Sequence, residues 1–193
     1  MSFSRAAGIA LCLLCVPAMQ GCVGVAATGA AVGGVAAQDR RTPGNFLDDE
    51  LIEHDVLSAV YGDERMASQV HINATSFNGL VLLTGEAPGD SLRTRVTEIA
   101  RDTPSVRAVQ NEVVLMAPSS LMTRANDALV TARVKIALLQ DAEIDAAKVK
   151  VVTERGTVYL MGLLSQDEAD RTTEIARRVG GVQSVVKVIE YIE

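Results

Sequence analysis

Apolar residues follow three rhythms along this chain. An almost unbroken run fills Ala6 to Ala18, and Val23 to Ala37 is nearly all Gly, Ala and Val. Beyond residue 46 the apolar positions switch between spacings of three or four and spacings of two, the signatures of amphipathic helices and of strands. Helical spacing predicts helices over about 47–61, 90–102, 123–139 and 166–178. Alternating Val, Ile and Leu predict a pair of strands after the first and third helices, and closing strands over 106–115 and 182–192. The order is α-β-β-α-β, twice. Each unit is expected to be a small α+β module in which a three-stranded mixed sheet packs against two helices. Asp90 and Ser165 are the expected N-caps of the second helices, and Gly180-Gly181 the expected helix stop.

The two units are copies of one another. Ile72 to Gly79 aligns with Val149 to Gly156 at a shift of 77 positions, and the same shift carries Val81-Leu82-Leu83-Thr84-Gly85 onto Val158-Tyr159-Leu160-Met161-Gly162. After the loss of one residue, Thr97-Glu98-Ile99-Ala100-Arg101 meets Thr173-Glu174-Ile175-Ala176-Arg177. Asn78-Gly79 and Arg155-Gly156 mark tight hairpin turns. Gly79, Gly85, Gly156 and Gly162 then read as backbone devices at turns and strand ends. The modules are assigned to residues 46–116 and 121–193, joined by Ala117-Pro118-Ser119-Ser120.

Residues 1–21 have the layout of a secretory signal: Arg5, an apolar stretch, then small residues. The stretch ends Met19-Gln20-Gly21-Cys22, which resembles a bacterial lipobox at Gly21 and Cys22 and only loosely at Met19 and Gln20. That resemblance implies cleavage before Cys22 and attachment of several acyl chains to it. The alternative is an ordinary signal peptide with a cysteine near its cleavage point, although an isolated thiol is a liability in an oxidising compartment. Val23 stands where an Asp would, by analogy with enteric sorting, imply inner-membrane retention, so the periplasmic face of the outer membrane is favoured. Residues 22–45 are expected to be a Gly/Ala-rich tether, with Asp39 to Gly44 leading into folded structure. The Gly29–Gly33 spacing suits helix packing in membranes, but the run from Val23 to Ala37 is short for a span.

The hairpins with their paired glycines, the Ile-Ala helices and the closing pairs Val106/Val109 and Val182/Val185 resemble BON domains (bacterial OsmY and nodulation domains). A lipobox followed by two such units is similar to the dual-BON outer-membrane lipoproteins over nearly all of the mature chain. The resemblance implies a role in outer-membrane integrity, with links to the β-barrel assembly machinery and to regulators of septal peptidoglycan hydrolysis at the division site.

Little in the chain suggests catalysis. Only His54 and His71 are present, so no His-based metal cluster is expected. His54 falls on the polar side of the first helix, and His71, at a strand start, reads as a solvated surface histidine. No phosphate loop or nucleophile elbow is found. Asp48-Asp49-Glu50 reads as a solvated helix start that complements the helix dipole. No catalytic residue, metal or cofactor is assigned. The net charge of −6 argues against general nucleic-acid binding, which needs a basic footprint.

The copies differ in charge and in their first helices. Module 1 has twelve acidic and five basic residues, a balance of −7, whereas module 2 has eleven against ten, a balance of −1. In module 1, Ile52, Val56, Ala59 and Val60 form one apolar side, opposite His54, Asp55 and Ser58, as in an ordinary surface helix. In module 2, Val130, Val134, Ala137 and Leu138 form the matching core stripe. The far side adds Leu129, Ala132, Ile136 and Leu139, flanked by Arg133, Arg124 and Lys135. A helix apolar on two sides needs a second partner. The candidates are anionic phospholipid and packing against module 1 or the linker. The BON resemblance implies the former, a membrane rich in phosphatidylglycerol or cardiolipin, although the family can carry an aromatic residue where Leu129 stands. Leu129, Arg133, Lys135, Ile136, Leu139 and Arg124 are therefore the candidate phospholipid-binding residues, and Cys22 the candidate lipidation site. A periplasmic chaperone-like module that binds unfolded protein is the alternative reading, and a self-associating scaffold a further rival.

Overall fold

The computed structural model describes residues 40–193. The signal segment, Cys22 and the Val23–Ala37 run lie outside the described residues. Module 1 runs α1 (Pro43–Gly62), a short α2 (Glu64–Ala67), β1 (His71–Phe77), β2 (Leu80–Ala87), α3 (Asp90–Asp102), β3 (Ala108–Asn111) and β4 (Val114–Leu115). Module 2 runs α4 (Leu121–Leu139), a 3-10 turn (Ala146–Lys148), β5 (Lys150–Glu154), β6 (Thr157–Leu164), α5 (Gln166–Arg177) and β7 (Ser184–Tyr191). The α-β-β-α-β order stands in both, within an α+β architecture of helices on mixed sheets.

In each module an antiparallel hairpin, β1–β2 or β5–β6, gains a parallel third strand beside β2 or β6. The third strand of module 1 is broken in two. The Asn111 side chain accepts the Val113 N–H at 2.8 Å, which turns Val113 into the core, and β4 then resumes pairing with β2. Ser165 caps α5 in a reciprocal capping box with Glu168. Asp90, the expected cap of α3, instead occupies that helix's first position. Gly89 is the cap, and it has no side chain with which to bond.

Each module closes its own core between helices and one sheet face: Ile52, Val56, Val60, Val81 and Leu83 in module 1, and Val130, Val134, Leu138, Val158 and Leu160 in module 2. A third cluster lies between the modules. Phe77 and Leu82 from the other face of sheet 1 meet Tyr159, Met161 and Val188 of sheet 2, so the modules stack sheet on sheet. Charged pairs rim this apolar centre: Lys150 with Glu53, Arg107 with Glu190 at 2.6 Å, and Arg155 with the buried Glu86 at 3.5 Å. Part of module 1's acidic excess is thus spent on cations of module 2. Arg40, inside the expected tether, donates to Glu168 at 2.6 and 2.9 Å and to the Leu163 carbonyl, pinning the entry segment to module 2.

Candidate functional site

Helix α4 begins at Leu121, capped by Ser120, whose hydroxyl accepts from the Thr123 N–H. Its inner stripe is buried. Its outer side carries Leu121 (79% exposed), Met122 (80%), Leu129 (56%), Ile136 (53%) and Leu139 (71%). Module 1 covers none of this stripe, because it docks through the sheet on the opposite side. Met122, Leu129 and Ile136 stand seven residues apart, with Ala125, Ala132 and Leu139 in the following positions of the same repeat. They form one continuous ridge. Leu121 and Met122 were absent from the sequence-derived set, although that seven-residue spacing marks Met122 as part of it.

The cations divide. Arg133 and Lys135 are exposed beside the ridge, and Arg133 also reaches the Gly180 carbonyl at 3.4 Å. Arg124 does not join them. Its guanidinium donates to the Ser119 carbonyl at 2.7 and 3.2 Å and turns into a cleft at the junction of the modules. Near the far end of α4, Asp141 and Glu143 share Arg171, which offsets one of their two negative charges. Module 1 also exposes large side chains, Val114, Leu115 and Met116 around β4 and Tyr61 late in α1, as well as Leu47 and Leu51 on α1, beyond what the sequence suggested for an ordinary surface helix. Leu47 and Leu51 sit among Asp48, Glu50, His54 and Asp55, and such an acidic face repels an anionic membrane.

The junction cleft, about 350 Å³, is lined by His71, Asn73, Arg124, Asp127 and Glu154 among others. His71 is half-buried there rather than solvated. Burial and the neighbouring Arg124 lower its pKa, against a smaller opposing effect of Glu86. Glu154 is buried and accepts from Asn73 Nδ2 at 3.0 Å. Burial, with Glu86 and Asp127 adding to it, pushes its pKa up to about 7 despite that hydrogen bond. The acidic start of α1 is not uniformly solvated either. Asp49 is 1% exposed, and it accepts from Ser76 Oγ, from the backbone of Asn78 and Gly79, and from Arg41. Burial works to raise its pKa, but these four donors outweigh it and hold the carboxyl below the usual range.

Two stacked α-β-β-α-β modules with an apolar helix ridge define a tandem domain protein. The chain belongs to the BON domain family, whose pattern matches residues 48–117 and 126–193. It is 35% identical over 175 residues to the outer membrane lipoprotein DolP of Haemophilus influenzae, covering 91% of each chain. It is 36% identical over 155 residues to a 21 kDa hemolysin of Actinobacillus pleuropneumoniae, covering 80% of each, and 30% identical over 145 residues to osmotically-inducible protein Y of Escherichia coli K12, covering 74% of this chain and 72% of that one. By this likeness it is an outer-membrane lipoprotein of a non-enzymatic family. No described helix is long and apolar enough to cross a membrane.

Proposed function

We propose that the protein is a non-catalytic lipoprotein, acylated at Cys22, whose second module binds anionic phospholipid through the outer side of α4. The observation that carries this reading is the ridge itself: Leu121, Met122, Leu129, Ile136 and Leu139, each more than half exposed, beside Arg133 and Lys135. Burying one such side chain contributes roughly 1.5–3 kcal/mol, and each cation near an anionic surface about 1 kcal/mol. Phosphatidylglycerol and cardiolipin supply that charge. Arg124 belongs to the junction cleft and is dropped from the lipid-binding set. On this reading the anchor holds the protein at the periplasmic face, and the ridge directs it to lipid-defined zones such as the division site. A role in outer-membrane integrity, with links to the β-barrel assembly machinery and septal peptidoglycan hydrolysis, follows from the family resemblance.

Residues 38–193 contain both cores and their interface, without the anchor. This segment is expected to float with vesicles containing phosphatidylglycerol or cardiolipin and to stay behind with neutral vesicles. Leu129→Glu with Ile136→Glu should abolish flotation and leave unfolding unchanged. Flotation that survives the double substitution would sink the reading. Binding of unfolded barrel protein without lipid, lost in the same variant, would favour the chaperone-like alternative.

A further inference from the structure

We propose that His71, Glu86 and Glu154 form a divalent-cation site that joins the two modules. One ligand atom from each lies within 4.8 Å of the others. His71 and Glu86 are directly opposite one another in the antiparallel β1–β2 register, and Glu154 closes the triangle from the end of β5 in the other sheet. Gly85 makes the cross-strand approach feasible. At φ +108 it brings the backbone so near His71 that a Cβ would stand 1.9 Å from the His71 carbonyl oxygen. Bonds of about 2.0–2.2 Å to imidazole nitrogen and carboxylate oxygen require the three atoms to close inward by a short side-chain movement.

The surroundings have the form of a metal site's outer layer. One oxygen of each carboxylate is already held: Glu86 Oε2 by the Ser119 N–H at 3.1 Å, and Glu154 Oε2 by Asn73 at 3.0 Å. Second partners of this kind orient ligands in metalloproteins. The other Glu86 oxygen meets Arg155 at only 3.5 Å. Two hydroxyls beside this group, Thr84 Oγ1 and Ser119 Oγ, are more than nine-tenths buried and have no hydrogen-bond partner among the described residues. Thr84 shares the Glu86 face of β2 and stands opposite Asn73. Buried polar atoms left unsatisfied point to a missing member of the network.

Charge and access agree. The carboxylates of Glu86, Glu154 and Asp127 outnumber the guanidinium groups of Arg124 and Arg155 that face them, and a bound cation would favour the ionised form of Glu154. The adjoining cleft of about 350 Å³, lined by His71 and Glu154, admits an ion and the water that completes its shell. One imidazole with two carboxylates suits Zn²⁺ and related first-row divalent ions. Since the ligands come from both modules, a bound ion would staple them together.

The test uses residues 38–193, which hold both cores and their interface and contain no cysteine to compete for the ion. Titration with ZnCl₂ against a fluorescent zinc chelator is expected to show uptake of one equivalent. His71→Ala and Glu154→Gln should each weaken it at least about tenfold, and His54→Ala should leave it unchanged. Because the chain has only two histidines, imidazole NMR of the unsubstituted pair reads the site without relying on a variant's folding. One equivalent of Zn²⁺ should shift the His71 resonances and leave those of His54 in place. No saturable uptake, uptake that survives both ligand substitutions, or a shift confined to His54 would overturn the proposal.

Discussion

Asp49 and Asp127 hold the same post in the two modules. Asp49 accepts the backbone N–H groups of Asn78 and Gly79 at 2.7 and 2.8 Å, and Asp127 those of Arg155 and Gly156, both at 2.8 Å. All four turn residues have positive φ, which leaves both amides of each turn outside the hairpin ladder. A carboxylate on the first helix answers both with charge-assisted bonds and locks helix to hairpin.

Removing either carboxylate strands two amides, one of them buried. Asp49→Ala and Asp127→Ala are each expected to cost about 2–4 kcal/mol, measured as a fall in the urea midpoint. Asp49→Ala should be the more damaging of the two, since Ser76 and Arg41 lose a partner as well. A cost below about 0.5 kcal/mol, the range of ordinary surface changes, would mean that water satisfies the turns instead.

Much of the fold was legible because the periods of 3.6 and 2 belong to local geometry. The outer ridge of α4 was legible for the same reason: Leu129, Ile136 and Leu139 remain after the core stripe is assigned. Strands β2 and β6 also carried a signal that the repeat alignment passed over. Leu80 to Leu83 and Val158 to Met161 are apolar on both faces, which means a sheet covered on both sides, and the second cover is the partner module. Asp49 was misread because an acidic residue at a helix start is usually solvated, and nothing local reveals a hairpin turn above it. The meeting of His71, Glu86 and Glu154 depends on the registration of two sheets from different modules. No short-range pattern encodes that.

Glu154 makes stability depend on pH in the direction opposite to an ordinary surface carboxylate. Its pKa stands at about 7 in the fold, driven first by burial, against a reference of 4.5. Between those values the folded chain holds a proton that the unfolded chain has released, so stability falls as pH rises through this window. The full loss is on the order of 3 kcal/mol. Glu154→Gln should remove it, leaving stability nearly unchanged at pH 4.5 and raising it at pH 8. Chemical unfolding of both proteins at the two pH values checks this. Equal effects of the substitution at both would refute the titration.

Glu168 works with the opposite sign. Its hydrogen bond from Arg40, the largest influence, holds its pKa down at about 2. The stabilisation is complete above the unfolded value near 4.5 and is lost as pH falls towards 2. Because both partners are partly solvated, screening reduces the effect to about 1 kcal/mol. Arg40→Ala should therefore lower the urea midpoint at pH 7 and leave it almost unaltered at pH 2. It should also speed proteolysis ahead of Pro43, since the entry segment loses its hold on module 2.

The sheet-on-sheet contact decides whether the two modules behave as one body. Each has a closed core of its own, so neither needs the other in order to bury its helices. Leu82 lies at the centre of the shared cluster, fully buried against Tyr159, Met161 and Val188. Leu82→Ala leaves a cavity between the sheets and is expected to cost about 2–4 kcal/mol. Leu82→Glu places an unpaired charge there and should separate the modules while sparing both cores. Calorimetry should then resolve two transitions where the native chain is expected to give one cooperative event, and small-angle scattering should show a longer particle. A single transition at an unaltered midpoint in the glutamate variant would mean that the interface contributes little. The exposed rim pair Arg107–Glu190 could not by itself hold the modules at physiological salt, because such pairs are worth at most about 1 kcal/mol each.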